Sequence, residues 1–295
     1  NTNMSISVGI GLAFVAMLCW GIGDFLIQRS TRKFGNFETI FLITGFGLVI
    51  LFPFVYKNLP ALFGSEMRTG LLVLTITGIM HFVAALLELE SLKRGKIAVV
   101  EPIWSLEILS AAFLAFLILG ETMTRYEIGI VAFLMIGLFL VSFRGRFLSR
   151  RHFLERGVYF AFAGALTMGA AAFLTGWSAR LTDPLMASFA VNVFLVVFSG
   201  GYLLAKGWLP KLFRDVIQYP WTVFPMVIAD NAAWVAYAFA LVLIPIGIAT
   251  ALSESYIIIA VVLGLAINRE RLERHQKIGL LVAIAAAVIL AAITG

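Results

Sequence analysis

A bundle of ten membrane-spanning helices, built as two inverted halves of five, is the all-α membrane fold this sequence predicts, on three observations. The 295-residue chain is 61% hydrophobic and 13% charged, with mean hydropathy +1.01, values of a polytopic membrane protein rather than a soluble one. Ten apolar runs of spanning length follow one another with short connections. Local patterns in the first half then recur in the second.

The runs cover residues 5–28, 37–56, 70–92, 97–119, 125–143, 157–178, 184–205, 221–243, 246–267 and 276–294, each bounded by charges, glycine or proline. Such runs are long enough to cross a hydrocarbon core of about 30 Å as helices. They lack the alternation of barrel strands, and in lipid only helices and closed barrels satisfy every backbone group, so helices follow. Asn1 to Asn3 ahead of Met4 read as an appended tripeptide. The first run is too long for a signal peptide and has neither basic flank nor cleavage site, so it counts as the first span.

Loop charge orients the spans. The loops after spans one, three, five, seven and nine carry Arg29, Arg32, Lys33; Lys93, Arg94, Lys96; Arg144, Arg146, Arg150, Arg151, Arg156; Lys206, Lys211, Arg214; and Arg269, Arg271, Arg274, Lys277. The other side has Lys57, Arg68, Arg125 and Arg180. Eighteen against four places the odd loops in the cytoplasm and both termini outside, in a multi-pass plasma-membrane protein. These residues account for the net charge of +6 and form no nucleic-acid-binding stripe. The single cysteine, Cys19, can form no internal disulfide, and no zinc spacing or cofactor motif occurs.

The fourth span ends in Gly120-Glu121-Thr122-Met123-Thr124, followed by Ile128-Gly129 and the fifth span. The ninth ends in Arg269-Glu270-Arg271-Leu272-Glu273, followed by Gln276-Lys277-Ile278-Gly279 and the tenth. Trp20-Gly21 with Phe25-Leu26 in span one is matched by Met168-Gly169 with Phe173-Leu174 in span six. Residues 1–147 and 148–295 are thus two five-span units, and five being odd, they insert in opposite orientations.

The repeated Glu-containing turn ending in Ile-Gly resembles that of the drug/metabolite transporter superfamily, EamA type, over nearly the whole chain. The resemblance implies a ten-helix basket whose central cavity is lined mainly by spans one, three, four, six, eight and nine, with spans five and ten outside. It also implies many relatives with cytoplasmic termini, against the loop charge here. The copy from Glu121 to Gly129 is one residue shorter than that from Glu270 to Gly279. A mid-span proline common in the family is replaced by Ile108 and Ile257, which moves the expected bend of span four to Pro102.

Soluble-enzyme templates find nothing: there is no phosphate-cradling glycine loop, no paired-histidine metal helix and no nucleophile with its base, so no enzyme is predicted. What remains are acids within the spans, each costing about 2.5 to 3.5 kcal/mol at a helix centre and therefore pointing to a cavity or a partner. Glu107, roughly 15 Å into span four, Asp230 on span eight and Glu254 on span nine lie deep, with His81 at the centre of span three. Asp24, Glu88 and Glu101 lie nearer the basic loops, with Glu38 and Glu90. They form either an ion-paired collar of snorkelling side chains or a gate that couples to protons.

Aromatic residues accompany the acids at helical spacing: Trp20 with Asp24, Trp104 with Glu107, and Trp234 and Tyr237 with Asp230. Aligning Glu121 with Glu270 sets Glu107 opposite Tyr256 and Glu254 opposite Ser105, so the two halves contribute unequally. Carboxylates beside ring faces suit a cation, each ring adding about 0.5 to 2 kcal/mol; ordinary packing would produce the same spacings. A buried acid that can hold a proton lets proton and cation compete for one place.

The expected function is secondary transport of a small cationic or zwitterionic solute, with proton coupling, by alternating access between the halves. The alternatives are an exporter of neutral or anionic metabolites, which would need basic cavity residues the spans do not supply, and a non-transporting scaffold or sensor. The partners expected are substrate and lipid, with no nucleic acid. Glu121 and Glu270 are expected to be architectural. Gly129 with Gly137, and Gly279 with Ala287, offer small-residue stripes for packing within a monomer or between the protomers of a homodimer.

Overall fold

A run of twenty apolar residues in lipid can satisfy its peptide groups only by bonding to itself, and the computed structural model is helical accordingly. It describes residues 2–94, 102–143, 156–267 and 272–295. In chain order the helices are α1 (Thr2–Phe34), α2 (Asn36–Val55), α3 (Arg68–Arg94), α4 (Glu107–Leu119), α5 (Arg125–Ser142), α6 (Arg156–Leu181), α7 (Pro184–Ala205), α8 (Leu209–Gln218), α9 (Pro220–Leu243), α10 (Ile246–Glu254), α11 (Tyr256–Ile267) and α12 (Arg274–Thr294). Among the described residues ten spans are long and apolar enough to cross a membrane, α10 and α11 together making the ninth.

The seventh connection is more than a loop. Leu209, Leu212, Phe213, Val216 and Ile217 fall on one stripe of α8, with Lys211, Arg214 and Asp215 off it. Leu212 is buried while Phe213 and Ile217 are exposed, the pattern of a short helix lying in the plane of the interface.

The two halves are interwoven. α3 packs along α6, and α1, the repeat mate of α6, packs along α9, the mate of α3. α4 crosses α6 as α10 and α11 cross α1; α3 meets α7 as α9 meets α2. The pairs α2 with α7, α5 with α12, and α4 with α10 each map onto themselves. Close packing between the halves therefore obeys the twofold that the sequence repeat requires.

Both fourth spans of the repeat are broken at the same station. The sequence predicts a continuous helix over 97–119 bent at Pro102. Instead a single turn at 102–104 gives way to a non-helical step at 105–106, and α4 starts at Glu107. The ninth span, which carries no proline in its interior, breaks at Ser255 between α10 and α11. Residues 106 and 255 are repeat mates. A serine stands at each break: Ser105 Oγ donates to the Pro102 carbonyl at 2.8 Å and Ser255 Oγ to the Ala251 carbonyl at 3.0 Å. Such back-bonding competes with the helical ladder and bends it.

Glycine lets the opposing half reach each break. A Cβ on Gly169 of α6 would collide with the Glu107 carbonyl, and would stand 2.5 Å from Ser110 Cβ. One on Gly21 of α1 would collide with Ile259 and approach the Tyr256 carbonyl to 3.1 Å. The sequence matched these glycines, and each lies on the first residue beyond a break. The end helices α5 and α12 meet at Gly137 and Gly279, where a Cβ on either would come within 3.0 Å of the partner backbone. Gly129 has open space around it and takes no part.

The repeat is also visible in how these end helices begin. Thr124 and Glu127 form a capping box ahead of α5, and Glu273 and Gln276 form its counterpart ahead of α12.

Candidate functional site

Aromatic residues from both halves meet where the breaks face the twofold. Trp20 of α1 stands edge-on to Trp234 of α9 at 5.0 Å between ring centroids, to Tyr237 at 5.1 Å and to Tyr256 of α11 at 6.4 Å. Trp234 is 6.0 Å from Tyr237 and 5.3 Å from the imidazole of His81 on α3. Edge-to-face contacts at these distances fix ring orientation as well as burying area. Trp20, Tyr237 and His81 are buried, while Trp234 and Tyr256 keep part of their surface open.

The acids sit on the flanks of this cluster. Glu107 is buried as the first residue of α4, and Glu254 is half-buried as the last residue of α10. Both lie within coulombic range of the Tyr237 phenol, and Glu107 lies within range of Glu254 and Glu88. Glu88 rests its methylene carbon 3.3 Å from where a Cβ on Gly164 of α6 would stand. Glu90, two residues on, pairs with Arg94 on the exposed rim of the same helix. Glu90 thus takes part in the foreseen collar, and Glu88 packs its stem against α6.

Asp230 is buried one turn before Trp234 on α9. Its neighbour Asn231 donates to the Ile43 carbonyl of α2 at 2.9 Å and to the Val227 carbonyl at 2.8 Å, holding α9 against α2. Trp104 packs elsewhere, with Ile103, Val158 and Ala161 against α6. Asp24 lies on α1 with its side chain outside the described residues, and Glu101 lies outside them altogether. Tyr237, which helical spacing set beside Asp230, joins the cluster, and its hydroxyl partner Thr250, 2.8 Å away, does so without having been singled out in the sequence. Among the described residues no group of three or more His, Cys, Asp or Glu stands ready to hold a metal ion.

A second polar arrangement closes one end of the molecule. Gly120, at φ +67°, ends α4 in a left-handed turn, and the Glu121 amide donates back to the Ala115 carbonyl at 3.2 Å. This turn brings the Glu121 carboxylate to the other half. One oxygen pairs with Arg180 at the end of α6, and the other accepts the Ile246 amide at 2.8 Å, capping α10. Arg180 in turn donates to the Leu241 carbonyl at 2.7 Å and reaches the Ile244 carbonyl at 3.4 Å, satisfying the end of α9. One ion pair thus serves two helix termini whose backbone groups would otherwise lack partners.

The EamA-like transporter family model matches residues 7–143 and again residues 155–292, once for each half. A solved crystal structure, described only as that of a protein, is similar in fold at TM-score 0.71 and 16% identity, covering 97% of this chain and 95% of its own. No curated protein matches the sequence.

Proposed function

The chain belongs to the EamA-like transporter family, and on that premise we propose that it is a secondary transporter of a small organic cation or zwitterion, bound between the halves and carried by alternating access. The observation that supports this reading most is the meeting of Trp20, His81, Trp234 and Tyr256 from both halves beside two helix breaks, each with an acid at its edge. Ring faces and carboxylates together suit a positive centre. Broken helices facing one another across a repeat axis are where transporters of inverted-repeat design bind their substrates. Glu107, Asp230 and Glu254 are read as the charge partners, with proton and substrate competing for them.

Loop charge orients the molecule with the odd loops in the cytoplasm of a plasma membrane and both termini outside. In that orientation the Glu121–Arg180 pair is the outer closure, which opens when the halves rock. The experiment is counterflow in proteoliposomes preloaded with primary amines or amino acids. Exchange that is lost in Glu107→Gln and Asp230→Asn supports the reading, and exchange indifferent to both substitutions sinks the site assignment.

A further inference from the structure

The hydrogen atoms around the aromatic cluster can be placed by elimination. His81 Nδ1 lies 2.9 Å from the Thr77 carbonyl, which can only accept, so Nδ1 carries the hydrogen. Its other nitrogen, Nε2, is buried without a hydrogen-bond partner in a residue only 3% exposed. A second hydrogen there would set a positive charge beside the proposed cation site. The neutral ring instead offers a lone pair, with its plane fixed against Trp234.

Across the cluster the same accounting applies to Tyr237. Thr250 directs its one hydroxyl hydrogen to the Ile246 carbonyl at 2.8 Å. Tyr237 must therefore donate in the 2.8 Å contact between their hydroxyls, and its oxygen keeps a lone pair for accepting. Glu107 and Glu254, when ionised, accept only. The donors the cluster brings are the indole N–H groups of Trp20 and Trp234 and the Tyr256 hydroxyl, and none of them reaches His81 Nε2. A hydrogen for that nitrogen falls to whatever occupies the site.

We infer that this site selects cations bearing at least one N–H at the charged centre, primary to tertiary ammonium or amidinium groups, against quaternary ammonium ions of the same skeleton, with His81 Nε2 as the acceptor that discriminates. A quaternary ion satisfies the rings and the acids as well as an ammonium does, but it leaves Nε2 buried and unpaired. Sites built to bond an N–H reject analogues lacking it far more strongly than apolar pockets reject a methyl group. The inference rests on the transporter reading above and narrows its substrate class.

The test compares 2-phenylethylammonium with its N,N,N-trimethyl derivative on the purified full-length protein, by thermal shift across concentration and by counterflow. Wild type is expected to hold the ammonium at least about tenfold more tightly. His81→Phe, which keeps a ring and removes the acceptor, should equalise the two, and His81→Gln, which returns an acceptor, should restore the preference. Equal affinity of the two ligands for wild type overturns the inference while leaving the cation site standing, and that comparison needs no variant to fold. A preference that survives in His81→Phe removes His81 from the role. Binding of neither ligand overturns the cation reading itself.

Discussion

The two broken spans have the same interruption and opposite electrostatics. In the first half the acid follows the break, so Glu107 opens α4 at the amide end of the helix, where aligned peptide dipoles favour negative charge. In the second half the acid precedes the break, so Glu254 closes α10 at the carbonyl end, where they oppose it. The position matching Glu107 is Tyr256, which joins the aromatic cluster instead. A twofold backbone therefore presents an asymmetric pair of acids, one at a helix end whose dipole favours negative charge and one at an end whose dipole opposes it. Repetition supplies the breaks; single substitutions at matched stations supply a site with two different ends.

The largest effect expected is on binding. Glu107→Gln should weaken a bound organic amine about a hundredfold, as expected for removing a hydrogen-bonded buried charge. Glu254→Gln should cost less than about tenfold, because its helix end already opposes the charge. Titration of both variants by thermal shift decides it, and equal losses would break the comparison.

Next comes stability at the glycine contacts. Gly169→Ala drives a methyl group into backbone at Glu107 and should destabilise by about 2 to 3 kcal/mol, whereas Gly21→Ala meets mainly the Ile259 side chain and should cost about 1 kcal/mol. Unfolding curves in detergent measure the difference. Their reversal would mean that the second break is the more tightly held.

A smaller shift is expected at the Glu121–Arg180 closure. Glu121→Ala removes a helix cap and a partly shielded ion pair, together about 1 to 2 kcal/mol, and should favour the state open at that end. A cysteine introduced at the half-buried Trp177 on α6, in a Cys19→Ser background, should then react faster with a polar thiol reagent. The sequence repeat aligns Glu121 with Glu270 and Arg180 with Arg32, so Glu270→Ala should slow that reaction; acceleration by both substitutions would show that the ends do not alternate. The smallest effect belongs to Glu90, whose exposed pair with Arg94 contributes within about 0.5 kcal/mol. Glu90→Gln should leave counterflow rates unchanged, unlike Glu88→Gln two residues earlier.

Much of the architecture was legible because lipid makes hydropathy a strict signal. The ten spans, the inverted halves and the pairing of Gly21 with Gly169 could all be read from sequence. The breaks could not: the residues at them, Ser105 and Ser255, scarcely change hydropathy, while attention goes to Pro102. α8 was hidden in a different way, its apolar stripe of five residues being too short to register as a span and too regular for a connection. In the aromatic cluster, helical spacing pointed to Trp20, Trp234 and Tyr237, depth in span three pointed to His81, and repeat alignment pointed to Tyr256. Spacing along one helix gave no warning that the step at 105–106 would separate Trp104 from Glu107.

The interlocked packing bears on how the molecule is made. α3 finds its longest partner in α6 and α1 finds its own in α9, so the earliest helices to leave the ribosome await neighbours synthesised much later. Glu121 in particular emerges long before Arg180 and Ile246, and must cross the insertion machinery without either. The two halves are nearer to subunits than to domains. Expressed as separate polypeptides cut between 144 and 155, they should be degraded singly and recovered together, each serving as the other's assembly partner.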